Sequence, residues 1–139
     1  MKCIFVIIHK INGMIWIKKR GVAMEFWMNN VKYVILERDQ KDFWDFQVDE
    51  QDGYYYGQSH FQTQEVWIDK SLSEEKKRKT LFHELTHVYI REYLTSRDIE
   101  PTEEVMCDIA ANSHDIIHKI VETYFELKEG DNNGVSDIR

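Results

Sequence analysis

Residues 83–87 read His-Glu-Leu-Thr-His, and this stretch decides which fold the chain is expected to have. No proline or glycine interrupts residues 72–96, and apolar residues recur there at the spacing of a helix. Ser71 and Glu74 have the spacing of a capping box, which marks the start of a helix. We therefore predict one long helix that carries the motif in its middle.

The spacing of the two histidines predicts a metal site. Residues four apart lie on one face of a helix, so the rings of His83 and His87 can bind one ion. Zn²⁺ is the metal that this ligand pattern favours. Glu84 is turned about 100° from His83, where it can reach a water on the metal without being a ligand. Glu84 is therefore the candidate general base.

A catalytic zinc needs a third protein ligand, and the sequence offers carboxylates for it. Pro101 marks the start of a second helix, because proline fits the first turn. The candidates are Glu103, Glu104 and Asp108, since each could face the metal if the register of the helix moved. Cys107 points to another face of this helix, so we expect it to be buried as a small apolar residue.

The residues ahead of the motif favour strands. Residues 31–36 and 64–69 are rich in β-branched and aromatic side chains, and Asp52-Gly53 is a tight-turn signal followed by three tyrosines. We therefore expect an α+β fold. In it, a small, mostly antiparallel sheet of about three strands precedes the motif helix and a second long helix that carries the third ligand. An extended ligand would pair with residues 64–69 as the exposed edge of this sheet.

The chain is expected to form one domain with short flanking segments. Residues 1–23 are interpreted as a basic extension outside the core, since the first 20 residues hold five basic and no acidic side chains. Residues 24–129 form the domain, and residues 130–139 form a polar tail, because Gly130 is expected to end the second helix near Lys128. Met24 is an alternative translation start.

Composition excludes several classes of protein. The 139 residues carry a formal net charge of −7, so the basic face that nucleic-acid binding requires is not expected. Two cysteines cannot build a disulfide framework and fit a reducing compartment such as the cytoplasm. The apolar run at residues 3–8 is far too short to span a bilayer, so no transmembrane segment is predicted.

A second histidine pair lies further along the second helix. His114 and His118 are also four residues apart, and His118 shares the helical face of Glu104. The separation of His118 from Glu104 is about 21 Å along the helix axis, too far for both to bind one ion. We therefore predict a surface or packing role for both histidines.

The two motifs together resemble a known group of enzymes. His-Glu-Leu-Thr-His followed by Glu104-Val-Met-Cys-Asp108 resembles the gluzincin clan of zinc metallopeptidases, which includes the thermolysin-like enzymes. The resemblance implies that Glu104 is the third zinc ligand and that Asp108 orients His83. Size and layout are nearer to the minimal zincins of the ImmA/IrrE type, which are common in phages and mobile elements. SprT-like proteins share this short layout and are a competing family.

The activity expected from this site is hydrolysis of a peptide bond. Zinc lowers the pKa of a bound water and polarises the scissile carbonyl, while Glu84 accepts the water proton and later delivers it to the leaving amine. A tyrosine or histidine often stabilises the developing negative charge in related enzymes. The candidates for that role are Tyr54, Tyr55, Tyr56, His60, Tyr89 and Tyr93.

The resemblance also implies the kind of partner. It suggests a cytoplasmic protein that cleaves a protein or peptide substrate, such as a transcriptional repressor on a separate chain. The alternative is a zinc-bound regulatory or toxin–antitoxin component that binds a partner without hydrolysis. Glu84 argues against this alternative, because a purely structural zinc needs no base beside one of its ligands.

Overall fold

The computed structural model describes residues 9–11, 14–19, 23–43, 56–94, 100 and 102–136. These residues form a six-stranded mixed sheet, a short 3₁₀ helix and two α-helices, so the predicted α+β class is confirmed. The elements are β1 (His9–Ile11), β2 (Met14–Lys19), β3 (Ala23–Met28), β4 (Val31–Arg38), the 3₁₀ helix (Gln40–Asp42), β5 (Gly57–His60), β6 (Glu65–Asp69), α1 (Glu74–Tyr93) and α2 (Glu103–Ser136).

The sheet is mostly antiparallel, as predicted, and contains more strands than the expected three. Its strand order is β1-β2-β3-β4-β6-β5, and only β4 and β6 run parallel. Asn29 and Asn30 close the β3–β4 hairpin, and both have the positive φ angles that the favoured hairpin turn requires. The additional strands are β1, β2 and β3, which pair antiparallel in succession onto β4.

The prediction that residues 64–69 form the exposed edge of the sheet is wrong. β6 pairs with β4 on one side and with β5 on the other, so β5 is the outermost strand on that side of the described sheet. β5 consists of Gly-Gln-Ser-His, which carries no β-branched or apolar residue. Residues 57–60 therefore carry no sequence pattern that predicts a strand, although they form the edge of the described sheet.

Both helices pack on one face of the sheet. Alternate residues of a strand point to the same face, and these meet the apolar faces of α1 and α2. Burying one such large side chain contributes about 1.5–3 kcal/mol relative to leaving it exposed. The core residues include Met24, Phe26, Met28, Tyr33, Ile35, Val66, Ile68, Leu81, Leu85, Val88, Ile117, Ile120, Val121, Tyr124 and Phe125.

A buried carboxylate on β4 connects the sheet to both helices. The Glu37 side chain is 3% exposed, and its oxygens lie 2.6 Å from Lys77 Nζ of α1 and 2.6 Å from Lys128 Nζ of α2. The hydroxyl of Tyr124 also donates a hydrogen bond to it. Burial alone would raise the pKa of Glu37, but these three hydrogen bonds outweigh it and hold the pKa below its usual value.

The cap of α1 differs from the predicted one. Ser73, not Ser71, is the N-cap, and its hydroxyl accepts a hydrogen bond from the backbone nitrogen of Lys76 at 3.3 Å. Ser71 instead donates to Asp69 Oδ1 at 2.8 Å. Both serines precede the acidic first turn, so local spacing alone selected the wrong one.

The second helix begins as predicted and ends later. Thr102 caps it, accepting a hydrogen bond from the backbone nitrogen of Val105 at 3.2 Å. α2 continues through Gly130 to Ser136, beyond the predicted end near Lys128. An interior glycine costs about 1 kcal/mol relative to alanine, which lowers helix stability without stopping the helix.

Candidate active site

The two motif histidines come together on the exposed side of α1. Their Nε2 atoms are 3.2 Å apart, and the two rings meet nearly edge-on at 77°. Two nitrogens bound to one tetrahedral zinc at about 2.0–2.1 Å would be separated by about 3.3 Å. His83 and His87 therefore have the spacing of two ligands on such an ion.

Glu84 lies beside the pair and points to the sheet. Its side chain is 7% exposed, and Ser59 Oγ on β5 donates to its Oε2 at 2.7 Å. Ser59 Oγ also lies 3.1 Å from the main-chain oxygen of Glu84. The carboxylate next to the two histidine rings is therefore held in place by the edge strand of the sheet.

Gly57 allows β5 to approach α1 this closely. A Cβ atom added to Gly57 would lie 2.7 Å from Thr80 Cγ2, 2.9 Å from Glu84 Cγ and 3.0 Å from the carbonyl oxygen of Trp67. These distances leave no room for a methyl group unless β5 or the side chains of Thr80 and Glu84 shift. Neither Gly57 nor Ser59 could be recognised from the sequence, because both meet the motif only through tertiary contacts.

The carboxylates expected as the third ligand do not join the histidine pair. Glu104, Glu103 and Asp108 are exposed in the first turns of α2. Among the residues that the structure describes, no three His, Cys, Asp or Glu side chains form a group that could hold a metal ion. On α2, Ser113 is among the residues that face α1. Glu104 precedes Ser113 by about two and a half helical turns, so the two side chains lie on opposite sides of the helix. Glu104 therefore lies on the side of α2 turned away from α1.

The first three turns of α2 are exposed on most of their surface. Between Thr102 and Asn112 no residue is buried, and only Val105 and Ile109 are half-buried. Cys107 is exposed, so the expectation that it is buried is wrong. The reason is that α2 enters the core only from Ser113 onward.

An apolar groove separates the first turns of α2 from α1. Its volume is about 380 Å³. On α1 the groove is lined by Phe82 and Thr86, which immediately precede the two motif histidines, and by Ile90, one turn after Thr86. The groove therefore runs beside the histidine pair. The residues of its two walls include Phe82, Thr86 and Ile90 on α1 and Met106, Ile109 and Ala110 on α2.

The second histidine pair is exposed, as predicted. The rings of His114 and His118 stack almost parallel, at 8°, with their centroids 5.6 Å apart. His114 also packs against the ring of Phe82, with a centroid distance of 5.8 Å. The pair therefore makes ring contacts on the surface of α2, in agreement with a surface or packing role.

His60, a candidate for stabilising negative charge, is buried at the end of β5. Its ring packs on Trp67 with a centroid distance of 4.3 Å. Burial lowers the pKa of His60, and the charge of Glu65 opposes this only partly. His60 is thus biased toward its neutral form.

The tyrosine candidates differ in placement. Tyr89 is buried and stacks on Tyr93, with ring centroids 4.7 Å apart. Burial, and to a lesser extent Tyr93, raises the pKa of the Tyr89 hydroxyl, which keeps it protonated. Tyr56 is 48% exposed, and Tyr54 and Tyr55 lie outside the described residues.

Comparison with known proteins identifies the family. The model of the IrrE N-terminal-like domain (Peptidase_M78) matches residues 36–126, which run from the end of β4 through most of α2. No curated protein and no solved structure matches the chain. In the described part of the chain, no helix is both long and apolar enough to cross a membrane. The match supports a metallopeptidase-type function, and the chain belongs to the IrrE N-terminal-like domain family of peptidases, as the resemblance to ImmA/IrrE-type proteins predicts.

Proposed function

We propose that this protein is a zinc-dependent endopeptidase that hydrolyses peptide bonds of a protein substrate. The observation that carries the proposal is the 3.2 Å approach of the two Nε2 atoms of His83 and His87 beside the buried carboxylate of Glu84, in a chain of a peptidase family. When bound, zinc lowers the pKa of a water molecule and polarises the scissile carbonyl.

Three side chains are proposed to hold the ion. His83 and His87 supply two nitrogens, and Glu104 supplies the third ligand, with Asp108 orienting His83. The resemblance to the gluzincin motif supports the roles of Glu104 and Asp108. Glu104 is turned away from α1 in this structure, so its binding to the ion requires the first turns of α2 to rotate toward the histidine pair; no residue from Thr102 to Asn112 is buried, so this stretch carries no fully buried core residue.

Glu84 is the proposed general base. Its carboxylate accepts a proton from the water that attacks the peptide carbonyl, and it later gives this proton to the leaving amine. The buried position of Glu84 between α1 and β5 limits how far its carboxylate can move. A group that must meet both the water and the amine benefits from such a restricted position.

β5 is the proposed binding edge for the substrate. As the outermost strand on its side of the described sheet, β5 can pair through its backbone with an extended peptide. A peptide added there would lie next to the strand that contacts Glu84. The family resemblance further supports a cytoplasmic protein that acts on a separate chain, such as a transcriptional repressor.

The test compares the wild type with Glu84→Gln. Both are purified without a histidine tag, loaded with zinc and incubated with a bacterial proteome, and new peptide termini are identified by mass spectrometry. The wild type should generate specific termini, and Glu84→Gln should retain zinc and generate none. Asp115→Asn is the matched control, because Asp115 also follows a histidine but is fully exposed on α2. Equal zinc binding without wild-type cleavage would instead favour the partner-binding protein.

A further inference from the structure

We propose that Gly57 and Ser59 are positioning residues that fix the carboxylate of Glu84 against the edge strand of the sheet. The proposal rests on the proposed peptidase function and adds residues that act through Glu84. Residues two apart in a strand point to the same face, so Gly57 and Ser59 both face α1. Thr80 and Glu84, four apart on α1, meet them from the other side.

The hydrogen bond from Ser59 fixes the position of the Glu84 carboxylate. A hydroxyl carries a single proton, so Ser59 donates to one acceptor at a time, and the 2.7 Å contact with Glu84 Oε2 is shorter than the 3.1 Å contact with its main-chain oxygen. The side-chain oxygen is therefore the acceptor that the geometry favours, and alanine at position 59 could not make this bond.

Gly57 acts through space rather than through a hydrogen bond. Two of the short distances that a Cβ would make at this position end on Thr80 Cγ2 and Glu84 Cγ, so β5 and α1 are in contact at the level of Glu84. A larger residue at position 57 would displace β5 or the side chains of Thr80 and Glu84. Either change would alter the approach of the Ser59 hydroxyl to the Glu84 carboxylate.

β5 connects the proposed substrate-binding edge with Glu84, the proposed general base. The outer edge of β5 is the proposed binding edge for the substrate, and the face toward α1 holds Glu84. A peptide paired with β5 would therefore be aligned with the carboxylate through one short strand. Positioning of this kind affects the chemical step more than the binding of zinc.

The first test measures the contact itself and needs no substrate. Urea unfolding of zinc-free protein is compared for the wild type, Ser59→Ala, Glu84→Ala and the double variant, because alanine removes the acceptor that glutamine would keep. We expect the two changes to be non-additive by about tenfold in the unfolding equilibrium constant, because the residues are in direct contact. Ser71→Ala, which removes a similar hydroxyl–carboxylate bond to Asp69, should be additive with Glu84→Ala. Additivity of Ser59→Ala with Glu84→Ala would overturn the proposal.

The second test measures the catalytic consequence. The probe is a synthetic peptide spanning a site that wild type cleaves and Glu84→Gln does not. Ser59→Ala should lower kcat by about 10- to 100-fold with little change in KM or zinc content, the range expected for one hydrogen bond to a charged group. Ser59→Thr keeps the hydroxyl and should restore most of kcat, and Gly57→Ala should lower kcat as well.

The two tests separate this proposal from the proposed function. Non-additive stability with an unchanged kcat in Ser59→Ala would overturn the positioning role while leaving the peptidase intact. A folded, zinc-loaded wild type that cleaves nothing would overturn the peptidase and with it the positioning role, and the stability cycle would still show whether the contact exists. Loss of kcat in Ser59→Ala without rescue by threonine would also contradict the role of the hydroxyl.

Discussion

Two histidine pairs with the same spacing lie on the two helices, and they have different geometries. On α1 the Nε2 atoms of His83 and His87 approach to 3.2 Å with the rings nearly perpendicular. On α2 the rings of His114 and His118 stack at 8° with their centroids 5.6 Å apart. A spacing of four residues places two rings on one face of a helix, but it does not decide whether their nitrogens converge.

The acidic residue beside each pair differs even more. Glu84 is 7% exposed and accepts a hydrogen bond from Ser59 of the edge strand. The side chain of Asp115 is 92% exposed, and its contact is a 3.5 Å approach to the neighbouring ring of His114. The carboxylate beside the first pair is thus built into the junction of helix and sheet, whereas the carboxylate beside the second lies on the open surface of α2. This difference is why we assign catalysis to the first pair alone.

The largest expected effect is on zinc affinity, which should depend on the first histidine pair and not on the second. His87→Ala should weaken zinc binding by about several hundred-fold, since about 10–16 kcal/mol of zinc binding shared among four ligands is about 2.5–4 kcal/mol for each. His118→Ala should leave the affinity unchanged. The affinities are measured by competition with a chromophoric chelator on untagged protein. An equal loss in the two variants would show that the comparison is wrong.

The next effect concerns the carboxylates of α2, which the structure leaves exposed. Glu104→Gln should weaken zinc binding by about 100-fold, and Asp108→Asn, the proposed outer partner of His83, by about tenfold. Glu103→Gln should have little effect, because Glu103 is explained by the dipole of the helix start. If Glu103→Gln weakens binding as much as Glu104→Gln, the third ligand has been assigned to the wrong residue.

A smaller effect is expected on the stability of the fold, through the buried Glu37 that connects the sheet to both helices. Glu37 binds Lys77 of α1 and Lys128 of α2, so Glu37→Gln should lower the free energy of unfolding by about 2 kcal/mol at pH 7. The pKa of Glu37 is lowered in the folded protein, so its contribution is present above the unfolded pKa near 4.5 and is lost as the pH falls through the folded value.

Urea unfolding at several pH values measures this contribution. The wild type should lose more stability than Glu37→Gln when the pH falls from 7 to about 3, because only the wild type has this carboxylate to protonate. Zinc affinity in the folded variant should stay near the wild-type value. The same loss of stability on acidification in both proteins would contradict the role given to Glu37.

The smallest effect is expected at the second pair. Asp115→Asn and His114→Ala change exposed side chains, so each should alter the free energy of unfolding by less than about 0.5 kcal/mol. Peptide cleavage by both variants should match that of the wild type. A clear loss of cleavage in His114→Ala would mean that the groove beside the histidine pair takes part in the reaction.

The parts of the site that could be predicted from the sequence are the local ones. The helix that carries His83 and His87 follows from the uninterrupted apolar period, and the position of both rings on one face follows from the geometry of one helical turn. The same holds for the start of α2 at Glu103. These features depend on residues within one or two turns of each other.

The parts that could not be predicted depend on packing between distant segments. Ser59 and Gly57 meet Glu84 only because β5 pairs with β6 and lies against α1. The rotation that turns Glu104 away from α1 depends on which face of α2 enters the core, beginning at Ser113. Local periodicity determines which face of a helix is apolar. Tertiary packing determines how the helix is rotated against a particular neighbouring element.

The most direct test of the central claim is an anomalous difference map at the zinc edge from crystals of the zinc-loaded protein. We predict one strong peak about 2.0–2.1 Å from the Nε2 atoms of both His83 and His87, with an oxygen of Glu104 completing the protein ligands. A peak at His114 and His118, or no peak at the motif histidines in protein shown to contain zinc, would contradict the claim.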